Sequence, residues 1–119
     1  MRDNGVVGLF SRRKNRDDRG VDLDAAVVAH LDEFIATRRG VEAFIELPTT
    51  MTKATLLLVA HDGEWTRRSV VSVGWARKFA ADRNLPAYDA GVVGYPQRMR
   101  DYNARQRAAN RRASTERLP

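Results

Sequence analysis

The stretch that decides the fold runs from Thr55 to Val70 and reads TLLLVAHDGEWTRRSV. Its beginning, residues 55–60, is a nearly continuous apolar run, which is typical of a central strand buried on both faces. The Asp-Gly pair at positions 62 and 63 is the strongest turn signal in the chain and predicts a two-residue hairpin. Residues 64–70 are then expected to return as the partner strand of an antiparallel sheet.

Periodic patterns on either side of this hairpin add the other elements. Asp22 to Arg39 carries apolar residues at helical spacing and predicts an amphipathic helix, which Gly40 can end in a left-handed conformation. Val41 to Leu47 alternates as a strand does, residues 72–84 predict a second helix with a serine cap, and Ala87 to Val93 predicts a fourth strand. The predicted fold is a single small α+β domain with the order α-β-β-β-α-β and an antiparallel sheet, followed by an Arg-rich C-terminal helix or tail.

Charge divides the chain into three parts. Residues 1–20 carry six basic and three acidic side chains (net +3), and glycines among them predict a disordered basic leader. Residues 21–96, the predicted α+β core domain, carry eight basic and ten acidic side chains (net −2). Residues 97–119, the predicted Arg-rich helical tail, carry seven basic and two acidic side chains (net +5). This asymmetry points to nucleic acid, the ribosome or another anionic surface as partner.

Composition also excludes several classes of chemistry. The chain has no cysteine, which excludes disulfides, thiolate nucleophiles, thiolate zinc sites and iron–sulfur clusters. No dinucleotide-binding, P-loop, nucleophile-elbow or kinase motif is present, so we expect no catalytic residue, no cofactor and no metal. No apolar run approaches the length of a membrane span, so we expect no membrane partner and a cytoplasmic location.

The segment from Gln97 to Ala113 lacks glycine and proline and is rich in residues that favour helices, so it predicts a helix. Its arginines fall into two stripes on roughly opposite sides of that helix. The first stripe holds Arg98, Arg105 and Arg112, and the second holds Arg100, Arg107 and Arg111. Arginines on two sides suit a nucleic-acid groove or a ribosomal RNA crevice, because both place phosphates on either side. The alternative is a solvated tail that helix propensity alone stabilises.

A second candidate for nucleic-acid contact follows the predicted turn. Trp65 and Arg67 share one face of the predicted strand by alternation, and Arg68 lies on the other. An aromatic ring beside arginines can stack on a base while the guanidinium groups hold phosphates. The alternative is a tryptophan that packs across strands beside solvated arginines.

A cluster of one histidine and two carboxylates lies at the same turn. His61, Asp62 and Glu64 could supply a general base or part of a metal site. A zinc or iron site needs at least three convergent ligands, and His30 is the only other histidine in the chain. A packing or solvated role is therefore favoured for these residues.

Four motifs between Thr49 and Tyr102 carry a resemblance to a family. They are TTxT from residue 49, LVAHDGEWTRR from residue 58, YD at residues 88 and 89, and VGYPQRMRDY from residue 93. In these motifs the chain resembles a set of small actinobacterial proteins, some of them loosely labelled oxidoreductases. The resemblance implies no catalytic residue.

The expected function is that of a non-enzymatic binding protein that contacts nucleic acid or ribosomal RNA through the Arg-rich segment. One alternative is a protein–protein interaction module that uses the face around Trp65 and the apolar pair Leu9-Phe10. A less favoured alternative is a small oxidoreductase-like or His-dependent enzyme that uses the cluster at His61.

Overall fold

The structure is a computed structural model that describes residues 18–117. The chain divides into two compact units, Met1–Glu33 and Phe34–Pro119. The predicted leader, residues 1–20, falls almost entirely outside the described residues, as does the Leu9-Phe10 pair. The elements are α1 (Asp18–Thr37), β1 (Glu42–Glu46), β2 (Thr55–Val59), β3 (Trp65–Ser69), α2 (Val73–Asp82), β4 (Ala87–Asp89), α3 (Ala90–Val93) and α4 (Gln97–Glu116).

The four strands form one sheet in the order β3-β2-β1-β4. Strands β1, β2 and β3 pair in antiparallel fashion, whereas β4 pairs with β1 in parallel. The α+β class is confirmed, but the sheet is mixed rather than antiparallel as predicted. The reason is the connection: helix α2 carries the chain from β3 across the sheet, so β4 enters beside β1 in the same direction.

The hairpin between β2 and β3 has a three-residue loop instead of the predicted two. The amide of Ala60 donates to the carbonyl of Glu64 (2.7 Å), which leaves residues 61–63 as the loop. A two-residue type I′ turn needs a positive φ at both central residues, and Asp62 does not have one. Gly63, with a φ of 95°, supplies the single left-handed residue that a three-residue loop requires.

The helix boundaries follow local capping chemistry. Ser72 accepts a hydrogen bond from the amide of Trp75 (2.9 Å), which confirms the predicted cap of α2. Asn84, which follows α2, has a φ of 58°, as expected of a residue that tolerates this conformation. The predicted strand from Ala87 is shorter than expected, because Asp89 caps α3 by accepting from the amide of Gly91 (2.9 Å).

Each face of the sheet carries its own buried layer. On the first face, Phe44, Leu57 and Val59 form a cluster with Ala90 and with Met99 of α4. On the second face lie Ala43, Ile45, Leu56 and Leu58, all of which are inaccessible to solvent. Helix α2 contacts β1, β2 and β4 and buries Ala76, Phe79 and Ala80. Because none of these three residues belongs to the first-face cluster, we assign α2 to the second face. The first face therefore receives the root of α4.

Within residues 18–117, no helix has both the length and the apolar character needed to cross a membrane.

Candidate nucleic-acid interface

Helix α4 begins directly against the hairpin loop. Met99, in its first turn, is 7% exposed and belongs to the first-face cluster. A Cβ atom placed on Gly63 would lie 1.9 Å from the backbone oxygen of Arg98 and 2.9 Å from the Cβ atom of Tyr102. Only glycine allows the loop backbone to approach the helix this closely. The predicted helix is confirmed, and its first turns are part of the folded unit.

Two arginines of the first stripe fix this end of α4 to the domain. Arg98 donates through Nη2 to the Glu42 carboxylate (2.6 Å) and through Nε to the backbone oxygen of Ala60 (2.9 Å). Arg105 donates through Nη2 to the backbone oxygen of Asp62 (2.9 Å). The first stripe therefore faces the domain along the first two turns of α4, and these two guanidinium groups already have partners.

Arg100 begins the second stripe and binds locally. Its Nη1 donates to the backbone oxygen of Tyr95 (3.1 Å), and its Nε and Nη2 donate to the side chain of Gln97 (3.1 and 2.9 Å). No carboxylate of a described residue pairs with it, so its positive charge is not neutralised.

The remaining arginines of this segment lie beyond the contacts with the sheet. We call Arg107, Arg111, Arg112 and Arg117 the distal arginines. All four side chains are exposed, and none has a hydrogen bond, ion pair or ring contact with another described residue. Residues 107–117 contain these four arginines and one acidic residue, Glu116, for a net charge of +3. Residues 107–117 therefore present a concentrated positive charge that is available to a partner.

The second candidate is engaged in packing. Trp65 packs against the first-face cluster and donates through Nε1 to the side-chain oxygen of Asn103 in α4 (2.8 Å). Arg67 pairs with Glu46 (2.9 Å) and lies 5.4 Å from the centre of the Trp65 ring. Arg68 lies on the opposite face of β3, as the alternation predicts, and is half-buried. The structure therefore places Trp65 and Arg67 together on the first face of the sheet, where both side chains already have partners.

Glu46 is the centre of a polar network at the edge of the first face. Its carboxylate accepts hydrogen bonds from the hydroxyls of Thr55 and Tyr95 and from the guanidinium group of Arg67. Burial alone would raise the pKa of Glu46, but these three donors outweigh burial and hold the pKa below its ordinary value. The hydrogen bond that Tyr95 donates to Glu46, together with burial, raises the pKa of the Tyr95 phenol, which therefore stays protonated.

The two carboxylates of the cluster at His61 bind other groups of the fold and do not converge with the histidine on one site. Glu64 pairs with Arg38 through two hydrogen bonds (2.7 and 3.3 Å), and the carboxylate of Asp62 accepts from the amide of Glu64 (3.0 Å). His61 is exposed, and its backbone amide donates to the carbonyl of Arg39 (2.9 Å). Among the described residues, no three histidine or acidic side chains gather where they could hold a metal ion.

Sequence reasoning did not identify the residues that orient α4. The sequence indicates Gly63 only as a turn residue, and no local pattern points to Asn103. The partners of these residues lie about forty positions away in the chain, so neither spacing nor propensity connects them. No family model, curated protein or solved structure matches this chain. The resemblance to the actinobacterial set thus stays a prediction, and the site is argued from its geometry.

Proposed function

We propose that this protein is a non-enzymatic nucleic-acid-binding protein that contacts RNA, including ribosomal RNA, or DNA through the distal half of α4. The observation that carries the proposal is the division among the arginines of this helix. Arg98 and Arg105 bind the domain, whereas the four distal arginines are exposed and have no partner among the described residues. Free guanidinium groups concentrated on one rigid element are suited to phosphates.

The anchored root supports this function by organising the helix before binding. An isolated helix of fewer than about 12–15 residues is marginal in water, because its nucleation is costly. Here Met99, Arg98 and Gly63 hold the first turns against the sheet, so the distal turns extend a helix that already exists. Less conformational entropy is lost when such a helix binds a partner.

Arginine is the only basic residue type from position 97 onward. A guanidinium group donates two parallel hydrogen bonds to a phosphate and stacks on bases, which an ammonium group cannot do. This preference favours nucleic acid over a partner that needs positive charge alone. A cytoplasmic location, where such a partner is available, is part of the proposal.

The test is the salt dependence of binding to RNA and DNA oligonucleotides, measured by fluorescence anisotropy. If the four distal arginines each neutralise one phosphate, affinity should fall by about 50- to 150-fold between 50 and 200 mM salt. The double variant Arg107→Gln/Arg111→Gln should roughly halve the slope of log affinity against log salt. The matched control, Lys53→Gln/Arg77→Gln, removes two exposed charges from the core domain and should keep the slope. Absence of binding at low salt, or equal slopes for the two double variants, would contradict the proposal.

A second candidate function, contact with another protein, is favoured by a separate observation. Leu47, Met51 and Val71 are large apolar side chains that are 53%, 88% and 71% exposed. Trp65, which the sequence suggested as a contact, is instead packed against the core. Under this alternative, a Met51→Ser/Val71→Ser variant should lose protein partners that resist nuclease treatment in a pull-down. Recovery of the same partners with this variant argues against it.

A further inference from the structure

A cavity of about 290 Å³ lies on the first face of the sheet, beside the junction of α3 and α4. It is open to solvent and is lined by three aromatic residues, Phe44, Tyr88 and Tyr95, together with Glu42 and residues 93, 94 and 96. Sites for small molecules span about 300–1,000 Å³, so this volume suits one planar ring system and not an extended ligand. The function proposed above does not use this cavity.

The aromatic walls are held in place before any ligand arrives. The Tyr88 ring lies 5.3 Å from the Phe44 ring, and its hydroxyl donates to the Glu42 carboxylate (3.4 Å). The Tyr95 hydroxyl donates to Glu46, which fixes a ring that is 39% exposed. Both tyrosines are thus oriented by carboxylates of strand β1, and a ring that stacks on them would cost little reorganisation.

The charges beside the cavity are already balanced. Glu42 pairs with Arg98 (2.6 Å), and Glu46 pairs with Arg67 (2.9 Å). A cation would therefore find no free carboxylate there, and an anion would find no free guanidinium within the walls. A neutral, planar, polar-edged ring fits this combination of aromatic faces and phenol groups.

The second stripe of arginines begins at the edge of the cavity. Arg100 donates to the backbone oxygen of Tyr95 at the edge of the cavity (3.1 Å). From Arg100, the helical rise places Arg107 about 10 Å and Arg111 about 16 Å further along the same side of α4. A chain of phosphates that starts at the cavity can follow these three guanidinium groups.

We propose that this cavity takes one unstacked base of a single-stranded nucleic acid, whose backbone follows Arg100, Arg107 and Arg111. The inference rests on the function proposed above and narrows it to single strands. A base inside a duplex is paired and stacked, so its face is not available to Tyr88 and Tyr95, whereas a single strand presents its bases freely.

The experiment compares two strands of equal length and charge, a 12-nucleotide oligothymidylate and a strand of the same length with abasic sugars, on the full chain. The oligothymidylate should bind more tightly, and Tyr95→Leu should weaken its binding by about 10-fold while changing the abasic strand little. Tyr95→Phe keeps the ring and should keep most of the affinity. The control is Val92→Ala, since this side chain is 80% exposed beside the cavity but outside its walls.

Three results would overturn the inference and leave the proposed function standing, provided that the salt dependence and the effect of Arg107→Gln/Arg111→Gln are retained. The first is equal affinity for the two strands, and the second is an equal loss of affinity for both strands in Tyr95→Leu. The third is competition by a duplex as effective as that by the single strand. No binding of any strand at low salt refutes the inference together with the function on which it rests.

Discussion

Replacing Gly63 with alanine tests the arrangement that orients α4. The new Cβ atom would lie 1.9 Å from the backbone oxygen of Arg98, 2.6 Å from its carbonyl carbon and 2.9 Å from the Cβ atom of Tyr102. The first two are backbone atoms, which cannot rotate away, so the loop and the helix must separate. We therefore expect Gly63→Ala to displace the root of α4 from the sheet.

The size of the effect follows from two contributions. A non-glycine residue at a φ of 95° costs about 1–2 kcal/mol in backbone strain. Separation of the helix also exposes Met99, whose burial contributes about 1.5–3 kcal/mol. The expected loss in the free energy of unfolding is about 2.5–5 kcal/mol, a large share of the total of about 5–15 kcal/mol that is typical of small domains.

Alanine variants at two other glycines distinguish the cost of backbone strain from the cost of a steric clash. Gly94 has a φ of 75°, but a Cβ atom there would meet nothing within 4 Å, so Gly94→Ala should cost about 1–3 kcal/mol from strain alone. Gly74 lies in α2 without a positive φ, and its Cβ atom would be 3.8 Å from the Ser72 hydroxyl. Gly74→Ala should therefore not destabilise the protein, because neither a positive φ nor a close contact opposes the new Cβ atom.

Urea unfolding followed by circular dichroism measures all three variants, and hydrogen exchange of residues 97–105 reports on α4 directly. Gly63→Ala should increase exchange in these residues, whereas Gly94→Ala and Gly74→Ala should increase it much less or not at all. If Gly63→Ala unfolds within about 0.5 kcal/mol of the original protein, with unchanged exchange in α4, the close approach of loop and helix is refuted.

Two further predictions concern polar contacts of the first face. Hydrogen bonds hold the pKa of Glu46 in the folded protein below its unfolded value near 4.5, so the stabilisation that Glu46 gives the fold should be complete above that value and lost as pH falls through the folded pKa. In urea unfolding between pH 7 and 3, Glu46→Gln should therefore reduce the loss of stability toward acid pH. An unchanged loss in this variant would contradict the prediction. Asn103→Ala leaves the half-buried indole N–H of Trp65 without its acceptor, and the free energy of unfolding in urea should fall by about 1–3 kcal/mol. The control Asn110→Ala, at an exposed position of the same helix, should change it by less than about 0.5 kcal/mol. Equal effects of the two variants would refute the role of this hydrogen bond.

Most elements of the fold could be predicted because their signals are local. The apolar run from Thr55, the cap at Ser72 and the left-handed residue at Asn84 each act within a few positions, and each lies where the sequence indicates. The fourth strand was predicted too long, since a local competitor, the Asp89 cap, ends it after three residues. The loop length was also wrong, because a turn propensity locates a hairpin but does not determine the register of its strands.

The candidate site could be predicted only in part. The pattern of residues 97–113 indicated the helix and its two stripes of arginines, since both depend on helical periodicity. It did not indicate that Trp65 packs against α4 or that Arg67 pairs with Glu46, 21 positions away. The aromatic cavity was not predicted either, because Phe44, Tyr88 and Tyr95 come from three separate segments.

The sequence by itself determined the local structure and the distribution of charge, a mildly acidic α+β core followed by an arginine-rich helix. Only the tertiary structure decided which of those arginines remain available. Arg98 pairs with Glu42, 56 positions away, and Arg105 donates to the carbonyl of Asp62, 43 positions away. Arg107 and Arg111, in contrast, have no partner among the described residues. The physical reason is that periodicity places a side chain on one side of a helix, but packing against the sheet determines what that side meets.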